Sequence, residues 1–322
     1  MKILLSFFLF AAASLHAATW TVCKLGNGCN YTTINAAVQD SVNVHCGDTV
    51  QIKAGQGDGN GSNGTPAGWY CGGSGKCNGN NPVLLTQSCP VNNRITLTTD
   101  QVSKLPPSNV RITPAYADGT SPVIPTIYNP GNGMVLNAKE GNGGTTASGY
   151  NIAGIQFCCF SNFSDFIGLG SRGAGTADSQ ETVVSDIPSN ITLDQVLIST
   201  DPAKNTRKCI SYDAFGLDVL NSWIDCAYDE GSSDSQGIIG YMGNGKILNN
   251  YISGTTETVA TGGAMPPVIA PAAGGVKSDN YEITSMVIPG PIELAWNDIT
   301  KPRWIYAQGA NLFWAASTLY IK

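Results

Sequence analysis

Charge is the scarcest property of this chain. Only 12% of its 322 residues are Asp, Glu, Lys or Arg, against roughly 25% in a typical soluble domain. Histidine is scarcer still, with two in the whole sequence. Charged runs of the kind that favour long surface helices are almost missing, which argues against a helical bundle or a coiled coil. Basic residues are outnumbered, 17 to 23, so no basic face is available for phosphate contacts and nucleic acid is excluded as a partner. Beyond the first residues no apolar run is long enough to cross a bilayer. Paired C-x2–4-C spacings, alone or with histidines, are also missing, which argues against a zinc site.

What the chain does have is glycine, 38 residues, and 42% apolar residues. That combination suits many short strands joined by tight turns over a sizeable core. Residues 1–18 read as a secretory signal: Lys2, an apolar run from Ile3 to Leu15, then small residues, with cleavage near Ala17 or Ala18. Its removal takes Lys2 away and leaves 16 basic residues against 23 acidic ones. The mature protein is therefore expected to be acidic, secreted or periplasmic/extracellular, and without a membrane span.

All ten cysteines lie after the signal: Cys23, Cys29, Cys46, Cys71, Cys77, Cys89, Cys158, Cys159, Cys209 and Cys226. An even number in an exported chain reads as disulfides. Cys23 with Cys29 and Cys71 with Cys77 can close small loops, and Cys209 with Cys226 can staple adjacent coils. Spacing alone leaves the connectivity open.

Residues 19–322 read as a single domain. Residues 19–55 form its N-terminal part: a strand at Thr19–Val22, a helical spacing over Tyr31–Val38 with Thr32 or Thr33 as N-cap, and an alternating strand over Gly47–Gly55. Residues 56–81 are a Gly-, Asn- and Cys-containing loop. Short strands are expected at Val83–Leu85, Arg94–Thr98, Val110–Thr113 and Met134–Asn137, with loops at Gly141–Gly149 and Gly168–Ser185. The chain stops at Lys322 just after a strand-like segment, Thr318–Ile321. Its end is expected to be covered by a partner or continued by further chain.

From Asn190 onward a phrase repeats. Leu220-Asn221-Ser222-Trp223-Ile224 returns as Leu248-Asn249-Asn250-Tyr251-Ile252, with related runs at Ile191–Leu197 and Ile283–Val287. The leading apolar residues Leu193, Leu220, Leu248 and Ile283 are 27, 28 and 35 residues apart. Such a period matches a coil of three short strands and three turns that buries its inner face by stacking on its neighbours. Asp194, Asn221 and Asn249 follow the leading residues, where turns favour side chains that tolerate left-handed backbone. Val196, Trp223, Tyr251 and Met286 are expected to stack in the interior.

Tyr31–Val38 followed by Gly47–Gly55 resembles the N-terminal cap and first strand of right-handed parallel β-helix proteins, the pectin-lyase-like superfamily. Asp234-Ser235-Gln236-Gly237-Ile238, Gly243-Asn244-Gly245-Lys246-Ile247, Asn249-Asn250-Tyr251, Gly262-Gly263-Ala264 with Pro266, and Ser278-Asp279 resemble exported bacterial β-helix proteins that lack an assigned reaction. The resemblance covers about Tyr31–Gly55 and Asn190–Tyr281. Two departures stand out: Thr258 follows Glu257 where Asn is common, and Met265 replaces a common Asp.

The resemblance implies an all-β right-handed parallel β-helix with a short N-terminal capping helix, and chemistry directed at a polysaccharide or other glycan. A lyase on this fold needs carboxylates that hold Ca2+ and a Lys or Arg base. Asp225, Asp229, Glu230 and Asp234 supply clustered acids. Lys246, 21 residues after Asp225, is the expected base on the next coil. Trp223-Ile224-Asp225 is similar to a pectate-lyase phrase, although Cys226 stands where His follows there. Arg207, with Asp213 or Asp218, is the candidate for an esterase-like pair. The Gly-His-Gly and Arg-x-Lys motifs of polygalacturonase-like hydrolases are missing. The other function class is a non-catalytic glycan-binding or structural cell-surface module, with Tyr212, Tyr228 and Tyr241 stacking on sugar rings. An acidic surface suits a neutral glycan better than a polyuronate unless calcium bridges the two.

Overall fold

The computed structural model describes residues 17–23, 28–56, 69–70, 82–118, 121–129, 134–138, 146–159, 163–170, 184–200, 206–227, 236–254, 257–261, 281–286 and 320–321. In chain order the strands are β1 (Thr19–Val22), β2 (Thr49–Ile52), β3 (Trp69–Tyr70), β4 (Val83–Leu85), β5 (Ile95–Thr99) and β6 (Thr126–Asn129). They continue with β7 (Leu136–Ala138), β8 (Ser148–Ala153), β9 (Gln156–Cys159), β10 (Phe163–Leu169), β11 (Ser189–Asp194) and β12 (Leu197–Thr200). The last are β13 (Thr206–Leu220), β14 (Trp223–Ala227), β15 (Gln236–Leu248), β16 (Tyr251–Gly254), β17 (Glu257–Thr261), β18 (Tyr281–Met286) and β19 (Tyr320–Ile321). Among the described residues one α-helix occurs, α1 (Ile34–Val38).

Every pairing between these strands is parallel, and the strands fall into three ladders. The first runs β1-β2-β5-β8-β11 and on through the C-terminal limbs of β13 and β15 to β18. The second is β3-β6-β9-β12-β14-β16. The third runs β4-β7-β10 and through the N-terminal limbs of β13 and β15 to β17. From β8 onward the chain visits the first, second and third ladders in turn and then begins again. A chain that repeats this circuit is an all-β solenoid, as the period of the phrase implies.

Each ladder sends one set of side chains inward because successive residues of a strand alternate faces. Val50, Leu97, Ile152, Leu193, Val219 and Ile247 stand in register on the first ladder. Ile127, Phe157, Ile198, Ile224 and Ile252 do so on the second. Val83, Leu136, Ile167, Ile210 and Ile238 form the third row. All are at most 1% exposed and belong to one continuous core. Burial of each such apolar side chain stabilises by about 1.5–3 kcal/mol, so these rows are the principal apolar contribution to the fold.

The register corrects the alignment read from the sequence by one residue at two of the four leading positions. Leu220 and Leu248 do pair, but Leu193 pairs with Val219, and Ile283 with Ile247. The inner row is Leu193, Val219 and Ile247, and Ile283 holds the paired register position on β18, with intervals of 26, 28 and 36 residues. Matching on the Leu-Asn identity placed Leu220 inside, and a slip of one residue exchanges the two faces of a strand. Trp223 and Tyr251 are likewise not interior. They are half-buried, paired in register with Leu197 on the outer side of the second ladder, and stacked at 3.7 Å with 9° between their rings.

At the N-terminal end Thr33 caps α1, its hydroxyl accepting from Ala36 N at 3.2 Å. The helix buries Ile34, Ala37 and Val38. Asn35 ties it to β4 by donating to Pro82 O and accepting from Leu84 N, both at 2.9 Å. Val110–Thr113 is not a strand. It belongs to an excursion over the outer face of the second ladder, where Ile112 and Ile124 pack on Leu197 and Trp223.

Disulfides join Cys23 with Cys29, Cys46 with Cys89, and Cys209 with Cys226. The first and third match sequence pairings. The second joins the turns before β2 and β5, a contact that only the stacking of coils creates. Cys71 and Cys77 lie outside the described residues.

Candidate functional site

A turn follows β8, β11, β13 and β15 on the first ladder, and its first residue adopts left-handed backbone in these four successive coils. These residues are Gly154 (φ 61), Gln195 (φ 51), Asn221 (φ 49) and Asn249 (φ 54). Asp194, read as a turn residue, is instead the last residue of β11. Its carboxylate Oδ1 still joins the ladder of side chains, accepting from Asn221 Nδ2 at 2.8 Å, while Asn249 Nδ2 donates to Asn221 Oδ1 at 2.9 Å. Burial raises the Asp194 pKa, opposed by the hydrogen bond from Asn221 and by the backbone NH of Gln195.

The same turns anchor the excursion. Gln195 Nε2 donates to the carbonyls of Pro106, Pro107 and Val110 at 3.0–3.1 Å. Arg111 donates from Nε to Asn249 O at 2.9 Å and from Nη2 to Asn249 Oδ1 at 3.1 Å. Burial lowers the Arg111 pKa. Asn249 Nδ2 also donates to Asn109 O at 2.9 Å. This region is a structural clamp; its polar groups are committed to one another.

The outward row beside it is different. Thr49, Thr96, Asn151, Thr192, Asp218, Lys246 and Glu282 occupy one position on seven successive strands of the first ladder. Thr49, Thr96, Asn151 and Asp218 are half-buried and Lys246 is exposed. Thr192 is 7% exposed because Arg94 reaches across to it, Nη1 donating to its hydroxyl at 2.6 Å. The row thus presents hydroxyl, amide, carboxylate and ammonium groups in line, at the roughly 4.8 Å spacing of adjacent strands.

The expected catalytic cluster does not assemble among the described residues. Asp225 lies on the second ladder, with Ser199 and Ser253 as register neighbours. Lys246 lies on the first, with Asp218 and Glu282 on either side. A full coil here takes 28 residues, as in Asp225 to Ser253; a separation of 21 therefore ends on a different ladder. Arg207 is exposed near the start of β13, on the third ladder, whereas Asp213 is fully buried and Asp218 is on the first. Tyr212 is 1% exposed inside the core and offers no platform to a sugar. Tyr241 falls within β15, between its two limbs, and its side chain is outside the description. Tyr228, Asp229, Glu230 and Asp234 lie outside the described residues.

Of the four acids expected to hold calcium, only Asp225 lies among the described residues. Asp225 is the sole carboxylate of its described row, and among the described residues no group of three His, Cys, Asp or Glu side chains could hold a metal ion.

Sequence reasoning missed two features. Asp218 and Lys246 are 28 residues apart, the same interval as the phrase itself, and that equality could have identified the polar row. The ion pair between Lys208 Nζ and the buried Asp165 Oδ1, at 3.6 Å, follows from β10–β13 pairing and has no local signal. Among the described residues, no helix is long and apolar enough to cross a membrane. Compared with family models, curated proteins and solved structures, the chain matches none of them.

Proposed function

We propose that this chain is an exported right-handed parallel β-helix that binds a neutral glycan along the outer face of its first ladder, without cleaving it. The observation that carries this reading is the in-register row Asn151–Thr192–Asp218–Lys246. Its positions recur at a spacing close to the length of one sugar ring, so an extended polymer lying along the solenoid axis meets Asn151, the Arg94 guanidinium that covers Thr192, Asp218 and Lys246 in turn. Opposite charges alternate within the row, which favours hydroxyl-rich ligands over a polyanion. A lysine acting as a base is one desolvated by its site; Lys246 is exposed, which favours binding over lyase chemistry. Disulfides fit an oxidising compartment. Right-handedness is supported by the general rule that about 98% of parallel crossovers take that hand.

The test is retention on insoluble neutral cell-wall glycans, with and without a chelator. Retention that is unchanged by the chelator and accompanied by no released product is expected. Failure to bind any wall polymer would sink the proposal. So would an ultraviolet-absorbing unsaturated product that forms from polyuronate with calcium and vanishes with the chelator.

A further inference from the structure

The N-terminal end of the described chain holds a carboxylate in an unusual setting. Asp48 is 5% exposed and sits in the turn before β2. Three donors converge on it: Ala18 N at 2.7 Å on Oδ1, and Trp20 Nε1 and His45 N, both at 2.9 Å on Oδ2. All three are uncharged. The His45 imidazole lies beside it, with Nδ1 4.0 Å from Oδ2 and a side chain that is 64% exposed. A carboxylate withdrawn from water is costly unless a charge and several hydrogen bonds compensate it. The atom nearest to it is the backbone nitrogen of Ala18, one of the two residues at which the signal was expected to be cut. Ala17 is exposed, and Ala18 O accepts from Thr49 N at 2.8 Å, which fixes Ala18 against β2.

We propose that export processing cuts between Ala17 and Ala18, and that the new α-ammonium of Ala18 docks on the buried carboxylate of Asp48 and locks the first strand. The step is a hydrolysis by a signal-processing protease. Water adds across the Ala17–Ala18 bond, the Ala17 carbonyl becomes a carboxylate on the departing peptide, and the Ala18 nitrogen becomes an amine that takes up the proton. An amide NH on Asp48 is thereby replaced by a full positive charge at the same place, and a hydrogen bond becomes a charge-assisted one. Cleavage one residue later would discard that nitrogen. Processing is in this way coupled to closure of the exposed end of the solenoid.

The inference rests on the export reading above, and N-terminal sequencing of the protein recovered from a secreting host separates the two. A chain beginning at Ala18 is expected. A chain cut elsewhere overturns the docked ammonium and leaves export standing, whereas an uncut chain held in the cytoplasm overturns export itself. The second arm compares thermal unfolding of the oxidised chain beginning at Ala18 with one that retains Ala17, so that Asp48 is present in both. The processed chain is expected to melt about 2–4 °C higher at pH 7. A free α-amino group has a pKa of about 7.7–8.0, and docking raises it. The advantage is therefore complete below pH 8 and lost as pH rises through the docked value. Other ionisable groups around Asp48, namely His45 and Tyr31 with its partner Asp40, are common to both chains and cancel. Equal melting temperatures from pH 6 to 10 would overturn the proposal. Asp48→Asn should abolish the difference; if that variant does not fold, the comparison of the two wild-type chains decides.

Discussion

At the turns after β8, β11, β13 and β15, a single backbone conformation is reached by three different residue types. Gly154 reaches it without steric cost. Asn221 and Asn249 tolerate it and hydrogen-bond to their neighbours. Gln195 is held there by the excursion it anchors. Asn221→Ala removes both the left-handed tolerance and the bonds to Asp194 and Asn249. It is expected to cost about 2–4 kcal/mol in denaturant unfolding. Asn221→Gly keeps the backbone freedom and should lose about half of that; equal losses would show that the side-chain ladder, not the conformation, matters. Asp40 offers a pH test. Its pKa is lowered to about 2 by hydrogen bonds from the Asn43 side chain, from the Tyr31 hydroxyl at 2.8 Å and from the NH groups of Asn43 and Val42. Because the folded value is depressed, its stabilisation is present above the usual carboxylate range of about 4 and lost as pH falls towards 2. Unfolding of Asp40→Ala and the parent should therefore differ at pH 6 and converge near pH 2.

Among elements, the disulfides rank by the loops they close. Cys46 and Cys89 are 43 residues apart, and Cys23 and Cys29 only 6. On the chain-entropy account, removing the first pair should cost about 4 kcal/mol and the second about 2. Paired Cys→Ala variants followed by denaturant unfolding check the order, and reversal would point to enthalpic effects in the native turns. The pair joining the turns before β2 and β5 was not legible in sequence, because 43 residues separate the two cysteines and spacing alone does not reveal it. The strands themselves were legible where apolar alternation is clean, as in Thr49–Ile52 and Val83–Leu85. Register was less so. Two neighbouring leucine and aliphatic positions, Leu220 and Val219, fit the inner face equally well by composition, and only cross-strand pairing distinguishes them. Trp223 misled for a related reason: a large aromatic reads as core, whereas here it packs outside, under Ile112 and Ile124.

For the whole molecule, the repeating phrase conveyed the solenoid because a coil that cannot bury its own inner face must stack. The candidate site was much less legible. Proximity along the sequence suggested that Asp225 and Lys246 converge, but in a stacked coil the neighbours are residues one full turn away. The row that results, Asn151 to Lys246, belongs to four coils and to no single motif. The binding role proposed for it leads to the most direct measurement: affinity of the oxidised protein for insoluble neutral glycan, compared among the parent, Asp218→Ala/Lys246→Ala and Asp225→Ala. The double variant on the first ladder should weaken retention at least tenfold, about 1.4 kcal/mol, with an unchanged melting temperature, while Asp225→Ala on the second ladder should bind like the parent. Equal retention by all three, or a loss confined to Asp225→Ala, would contradict the account.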